Sequence, residues 1–488
     1  MVLGGGPGGE RAAIQAARAG KRVALVEREH VVGGMRVNWG TIPSKTLRES
    51  ATFVHGLRHN KLDAIKVQIA DTITIPELMY REQRVVQREL ELINRSLSRY
   101  AIEIYRGEGR FLDAHSIAVH GVDGQVRLRL KGEVIVIATG SAPNRPGDIC
   151  FDDDTVFDST TVLRLPRMPR SMIVLGAGVI GVEYASIFAA LGVAVTLVDT
   201  RAGLLPFVDR EIAAILRREL LRLGVAFISN DHYARVERLE GAPPMVRVTT
   251  RNGNVLEADV LLYCVGRDGN TRGIGLEGIG IVPDARGLLT VNEKFETVHP
   301  HVYAVGDVIG YPALASTSME QGRQAIRNAY GIAGPKLRTS RLPFAIYAIP
   351  EVSYVGDTEE TLKEKGIRYV AGRGHYEMNP KGQIAGAPGG LVKLLFERDT
   401  LLLRGVHIIG HTASELIHTG QAFLDAGADA THIAETLYNY PTFSDMYRHA
   451  ALVALLAREQ RDPGERTESE PMQEAGRTPA SRRSAAQP

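Results

Sequence analysis

Cysteine is nearly missing from this chain. Cys150 and Cys264 are the only two in 488 residues, and they do not form a Cys-x-x-Cys pair. A metal ribbon or dithiol centre built on such a pair is therefore excluded; no metal site is expected, and both thiols are expected to be small buried apolar side chains. Long apolar runs are missing too. None reaches the roughly 18–20 residues of a membrane-spanning helix, and the opening Met1-Val2-Leu3, followed by glycines, has no cleavable signal pattern. An excess of one charge sign is missing as well. The 58 basic and 56 acidic residues leave a formal net charge of +2, so no overall field recruits nucleic acid or an anionic membrane. These absences fit a reducing cytoplasm. The length exceeds what one hydrophobic core usually serves, so two or three domains are expected.

What is present is an internal duplication. Gly4-Gly5-Gly6-Pro7-Gly8-Gly9 opens one unit and Gly176-Ala177-Gly178-Val179-Ile180-Gly181 the other. Each is followed by an Ala-rich stretch with helical character, residues 9–19 and 181–191, that stops at a glycine suited to a C-terminal cap, Gly20 or Gly192. A β-branched run then ends on an acid, Glu27 or Asp199, at the same distance from the first glycine in both copies. One GxGxxG is a weak signal; two copies with matching helix, strand and terminal acid are a strong one. In such a unit Gly4 and Gly176 permit the tight turn after the strand. Gly6 and Gly178 let backbone approach a pyrophosphate, and Gly9 and Gly181 let helix pack on strand. The helix N-terminus offers unpaired N–H groups to phosphate, and the acid accepts hydrogen bonds from a ribose diol. The fold expected is α/β, with two Rossmann-like dinucleotide-binding domains and a C-terminal α+β domain. One mismatch stands out: Ser171–Leu175 precede the second glycine motif, but only Met1-Val2-Leu3 precede the first. Either the first strand starts upstream or the sheet accepts a stub.

The rest of the chain divides by texture. A charged stretch at about 75–100 has helical spacing of Leu78, Val85, Leu90 and Leu92-Ile93, and strands follow, ending in Val134–Gly140. Residues 338–457 mix strands and helices without a glycine fingerprint, and 458–488 are rich in Arg, Glu, Ser, Pro and Ala, as in a disordered tail. The expected division is 1–145 and 268–337 for the first dinucleotide domain, 146–267 for the second, 338–457 for a dimerisation domain, and 458–488 for the tail.

Gly33-Gly34-Met35-Arg36-Val37-Asn38-Trp39-Gly40-Thr41-Ile42-Pro43-Ser44-Lys45 resembles the segment that carries the redox disulfide in the class I pyridine nucleotide-disulfide oxidoreductases, such as dihydrolipoamide dehydrogenase and glutathione reductase. Ala138-Thr139-Gly140 and Val305-Gly306-Asp307 are similar to further flavin motifs of that family. Trp39–Lys45, Tyr303–Pro312 and Asn439-Tyr440-Pro441-Thr442 resemble its soluble transhydrogenase branch in particular. The resemblance runs from Gly4 to about residue 457.

It implies that the first fingerprint holds FAD, with Gly4, Gly6, Gly9, Glu27, Gly34, Thr41, Lys45, Thr139, Gly140, Asp307 and the helix beginning near Ala315. The second would take NAD or NADP as substrate, with Gly176, Gly178, Gly181, Glu183, Asp199, Arg201 and Gly266. Lys45 and Glu183 would be the catalytic pair, the ammonium beside the flavin favouring its reduced anion. The implied assembly is a homodimer or a higher homo-oligomer.

The departures from the disulfide reductases are as informative. Arg36 and Thr41 stand where those enzymes carry their two cysteines, and neither can accept two electrons reversibly. The transhydrogenase branch shares the threonine but usually keeps a cysteine at the first position, where this chain has Arg36. Tyr440 and Asp445 stand where the reductases carry the His–Glu pair that handles the thiol proton; a tyrosine, with a reference pKa of about 10, is a poor base near neutrality. Nearby His418 and His449 read as structural. Hydride transfer between NADPH and NAD through FAD is therefore expected, with an NAD(P)H diaphorase or a non-catalytic flavin-bound homologue as alternatives. Asp199 and Arg201 are expected to act in opposite senses on NADP, in a site that prefers NAD(H).

Overall fold

The computed structural model describes residues 1–59, 74–387 and 389–459. The expected tail from 460 to 488 lies outside the described residues, while Arg458 and Glu459 complete the last helix, Met446–Glu459.

Each fingerprint strand lies at the centre of its own five-stranded parallel sheet. In the first sheet the order is Val302–Ala304, Ile135–Ile137, Val2–Leu3, Ala24–Glu27, Glu103–Arg106. In the second it is Ala226–Ser229, Ala194–Asp199, Ser171–Leu175, Val260–Tyr263, Val156–Asp158. In both, the acid-bearing strand flanks the fingerprint strand on one side, and a strand leading to a second glycine, Gly140 or Gly266, flanks it on the other. Such sheets bind ligands at the carboxyl ends of their strands, where strand order reverses. The first fingerprint strand is short, with two residues against five.

The fingerprint helices are Pro7–Arg18 and Val179–Ala190, each starting two residues before the expected stretch. The turn residues themselves enter the helix, since Pro7 loses no bond at a first position that lacks a partner anyway. Gly20 and Gly192 follow with φ of +72° and +96°, the left-handed stop expected of them. The charged stretch forms Ile75–Leu78 and Tyr80–Arg99, joined at Met79.

Antiparallel strands Ser141–Pro143 and Arg267–Gly269 pair where the chain leaves the first sheet and returns from the second. The C-terminal part is an antiparallel sheet in the order Phe344–Ile346, Glu351–Gly356, Leu403–Gly410, Leu391–Glu397, Tyr369–His375. Helices Ala413–Ala426 and Met446–Glu459 pack on it through a core that includes Phe396, Ile417 and Tyr447. Of the two cysteines, Cys264 packs against the core of the second sheet, and burial pushes its thiol pKa up. Cys150 departs from expectation and is exposed, because it lies in the irregular segment after the crossover rather than in a strand or helix. Among the described residues, no helix is long and apolar enough to cross a membrane.

Candidate active site

The two glycine turns are built alike. Gly4 and Gly176 have φ of +95° and +101°, in the region that favours glycine. A Cβ on Gly9 would lie 1.9 Å from Gly4 O, and one on Gly181 would lie 1.9 Å from Gly176 O. Each helix therefore rests directly on its own turn, and only glycine fits. Neither helix has a side-chain N-cap, and neither does Ala315–Ala329. Asp209 and Asn379, in contrast, cap helices elsewhere. Uncapped N-termini keep N–H groups available to an anion and a positive dipole end facing it.

A cleft of about 880 Å³ opens along the first fingerprint, within the range typical of cofactor sites. Of the expected FAD residues, Gly4, Gly6, Glu27, Gly34, Thr41, Thr139, Gly140, Asp307 and Ala315 line it. Gly9 does not, because its place is against the turn. Lys45 does not either; it follows one helical turn after Thr41 in Thr41–His59. The lining chemistry fits a dinucleotide. Thr139 Oγ1 is buried without a hydrogen-bond partner, an orphan that a bound ligand can satisfy. Glu27 accepts bonds from Gly5 N at 2.7 Å and Glu29 N at 2.9 Å. Its pKa is raised, chiefly by burial, which those two bonds only partly offset.

Lys45 Nζ stands 2.7 Å from Glu183 Oε2 and 4.9 Å from the centre of the Tyr347 ring. The other oxygen of Glu183 accepts from Tyr347 N at 2.8 Å. This junction thus joins helix Thr41–His59, the second fingerprint helix and the C-terminal part. The remaining second-fingerprint residues, Gly176, Gly178, Gly181, Asp199, Arg201 and Gly266, lie outside the cleft. They sit at the carboxyl end of the second sheet, with Gly266 at φ +84°.

Arg36 lines the cleft, but its Nη2 is turned to Glu10 Oε2 at 3.3 Å, and its Nη1 lies 3.9 Å from Glu89. Glu10 is 3% exposed and its pKa is raised, mainly by burial, with Arg11 and Arg36 opposing. The residue standing in the first thiol position is therefore an ion-pair partner of the fingerprint helix. Tyr440 is exposed, and Asp445 lies 3.6 Å from His449 and 3.7 Å from Arg448. His418 bonds Gln421 at the surface.

Several site residues escape a reading of the sequence. Ser141 Oγ donates to Asp307 Oδ2 at 2.9 Å and accepts from Arg267 Nε at 2.9 Å. Gln321 Oε1 accepts from Gly306 N at 2.8 Å. A Cβ on Gly322 would lie 2.2 Å from Gly8 O, so the helix beginning at Ala315 packs directly on the fingerprint helix. Arg267 follows Gly266 and Ser141 follows Gly140, and those adjacencies are the available signals; Gln321 and Gly322 have none.

Comparison with known proteins agrees with this geometry. The family described as "Pyridine nucleotide-disulphide oxidoreductase" matches residues 1–322, and its dimerisation domain matches 342–451. The soluble pyridine nucleotide transhydrogenase of Mycobacterium tuberculosis is 42% identical over 452 residues, covering 93% of this chain and 96% of its own. That of Colwellia psychrerythraea is 40% identical over 458 residues, covering 93% and 97%. Among solved structures, LpdA of Mycobacterium tuberculosis has a TM-score of 0.85 at 27% identity, covering 92% of this chain and 98% of its own. The HOCl-induced flavoprotein disulfide reductase of Escherichia coli has a TM-score of 0.82 at 28% identity, covering 93% and 99%.

Proposed function

The chain belongs to the pyridine nucleotide-disulphide oxidoreductase family, and from that premise we propose that it is an FAD-dependent transhydrogenase, NADPH + NAD⁺ ⇌ NADP⁺ + NADH. The observation that carries this reading is the state of the two thiol positions. Thr41 holds one, and Arg36, committed to Glu10, holds the other. Electrons that reach the flavin have no disulfide to move on to, which favours a second nucleotide as the acceptor. Bound FAD supplies the two-electron hydride chemistry, and the protein supplies binding, orientation and field.

The residues divide that work. The bare N-terminus of Pro7–Arg18 and the Gly4–Gly6 turn would hold the FAD pyrophosphate, and Glu27 its ribose diol. Asp307, fixed by Ser141, holds the ribityl chain. The uncapped N-terminus of Ala315–Ala329 would favour negative charge on a flavin bound in the cleft. Lys45 adds a cation there, and Glu183 with Tyr347 N fixes its direction. The glycine turn ending in Gly181 receives the two nucleotides in alternation. On this reading 1–145 and 268–337 form the FAD domain and 146–267 the nucleotide domain. Residues 338–457 build a homodimer, with exposed Leu437, Leu452 and Leu456 available to the second copy. The enzyme works in the cytoplasm.

The purified holoenzyme is expected to be yellow and to exchange hydride between NADPH and NAD⁺. Lipoamide and glutathione disulfide, offered with either reduced nucleotide, should turn over at background. Steady-state assays of all four combinations check this. Disulfide turnover comparable to nucleotide exchange overturns the hydride-only route, and quinone reduction without nucleotide exchange makes the protein a diaphorase.

A further inference from the structure

The duplicated turns differ in what their terminal acid accepts. At Glu27 the carboxylate accepts two backbone donors, Gly5 N and Glu29 N. At Asp199 the same two positions donate, Ala177 N to Oδ2 at 2.5 Å and Arg201 N to Oδ1 at 2.8 Å. Asp199 also carries a fork that Glu27 lacks: Arg201 Nε to Oδ1 at 2.8 Å and Arg201 Nη2 to Oδ2 at 2.8 Å. The residue in the corresponding place of the first copy is Glu29, which cannot form such a fork. Arg201 is thus neither free at the surface nor pointing away from the site. It occupies the acceptor positions that a ribose diol needs.

The electrostatics follow from the geometry. Burial would raise the Asp199 pKa, but the Arg201 side chain, the Arg201 amide and the Ala177 amide outweigh it, so the carboxyl stays below its ordinary value and ionised. Carboxylate and guanidinium together present no net charge, so the repulsion that a bare acid exerts on a 2′-phosphate is cancelled. The Arg201 side chain is 44% exposed and that of Asp199 9%. The fork is bidentate on a nearly buried carboxylate, so opening it has a cost that the incoming nucleotide must offset; the half-exposed arginine can then turn toward solvent.

We propose that Arg201 is a built-in occupant of the adenosine-ribose site and thereby sets how the two nucleotides share it. NAD(H) binds by displacing the fork, so that its 2′- and 3′-hydroxyls donate to Asp199. NADP(H) binds by drawing the same guanidinium onto its 2′-phosphate, a charge-assisted and bidentate partner. One side chain opposes the first nucleotide and assists the second, which lets a single site serve both. This rests on the transhydrogenase reading and deepens it.

The distinguishing consequence is an improvement on deletion. A merely supportive arginine, when removed, weakens every nucleotide; an internal competitor, when removed, strengthens NAD binding. Titration calorimetry of oxidised holoenzyme with NAD⁺ and NADP⁺ reads this without turnover. Arg201→Ala is expected to tighten NAD⁺ several-fold and weaken NADP⁺ roughly tenfold or more. Asp199→Asn, which frees the guanidinium, is expected to tighten NADP⁺ and weaken NAD⁺. Unchanged or weaker NAD⁺ binding in Arg201→Ala overturns the proposal while leaving the transhydrogenase reading intact. Failure of both nucleotides to bind the wild type overturns both.

Discussion

Replacing Lys45 with alanine is expected to slow flavin reduction by NADPH on the order of 10²–10³-fold, the loss typical of removing one preorganised charge from a developing anion. The side chain is positioned for such a role. Its ammonium is held 2.7 Å from a carboxylate of Glu183 that is itself fixed by Tyr347 N, so little reorganisation is needed when charge appears. An effect confined to the transition state lowers the rate and leaves ground-state binding of nucleotide largely unchanged. FAD content, read by absorbance, should remain high, because the glycine turn, Glu27 and Asp307 line most of the cleft. Lys45→Arg keeps the charge and should recover part of the rate. Rapid-mixing traces of both variants decide the matter. Reduction at the wild-type rate in Lys45→Ala removes the lysine from the mechanism.

The largest stability effect is expected far from the cleft, at Lys393. Its ammonium is 1% exposed and meets Asp209 at 2.9 Å, Glu211 at 3.0 Å and Glu359 at 2.6 Å. Arg373 adds a second cation at 2.8 Å from Glu211. Asp209 also caps helix Arg210–Arg222 of the second fingerprint unit, whereas Lys393 lies on strand Leu391–Glu397 of the C-terminal sheet. The cluster therefore clamps two parts of the molecule together. Lys393→Met leaves the buried carboxylate of Asp209 without its main partner and is expected to cost about 3–5 kcal/mol, a fall in Tm of roughly 3–5 °C for a chain of this length.

The pH dependence carries the same signature. Burial would raise the Glu359 pKa, but bonds from Lys393 and Tyr369 pull it from 4.5 down to about 2. For Lys393, burial is outweighed by the three carboxylates, and its pKa rises above 10.5. A depressed acid contributes stability above its unfolded pKa and loses it on the way down. The clamp is thus complete between about pH 4.5 and 10.5 and fades as pH falls toward 2. Melting curves across the acid range should show a shallower loss in Lys393→Met than in wild type. A melting temperature within a degree of wild type at pH 7 contradicts this account.

The fold was legible where local geometry allows one residue type and a period repeats. A Cβ 1.9 Å from a carbonyl leaves only glycine at Gly9 and Gly181, so the fingerprints had to appear in the sequence. The stops at Gly20 and Gly192 are readable because a positive φ favours glycine, and the strand acids Glu27 and Asp199 because the same spacing repeats. Contacts between side chains distant in sequence leave no such trace. Nothing around Arg36 points to Glu10, and nothing near Lys393 points to Asp209, which lies 184 residues away. The Asp199–Arg201 fork spans only two residues and still eluded the sequence reading, because a spacing of two says nothing about which way a long, flexible guanidinium turns. The exposure of Cys150 was misjudged from residue type alone, when its place in an irregular segment decided it.

The central claim is that one flavin takes hydride from one nicotinamide nucleotide and returns it to the other with no thiol between them. Anaerobic rapid mixing of the oxidised holoenzyme with one equivalent of NADPH, followed by a second mix with excess NAD⁺, tests it directly at the flavin absorbance. The account predicts bleaching on the first mix and full recovery on the second, each at least as fast as steady-state turnover. Flavin that stays oxidised with NADPH, or that is bleached and then not recovered by NAD⁺, contradicts it.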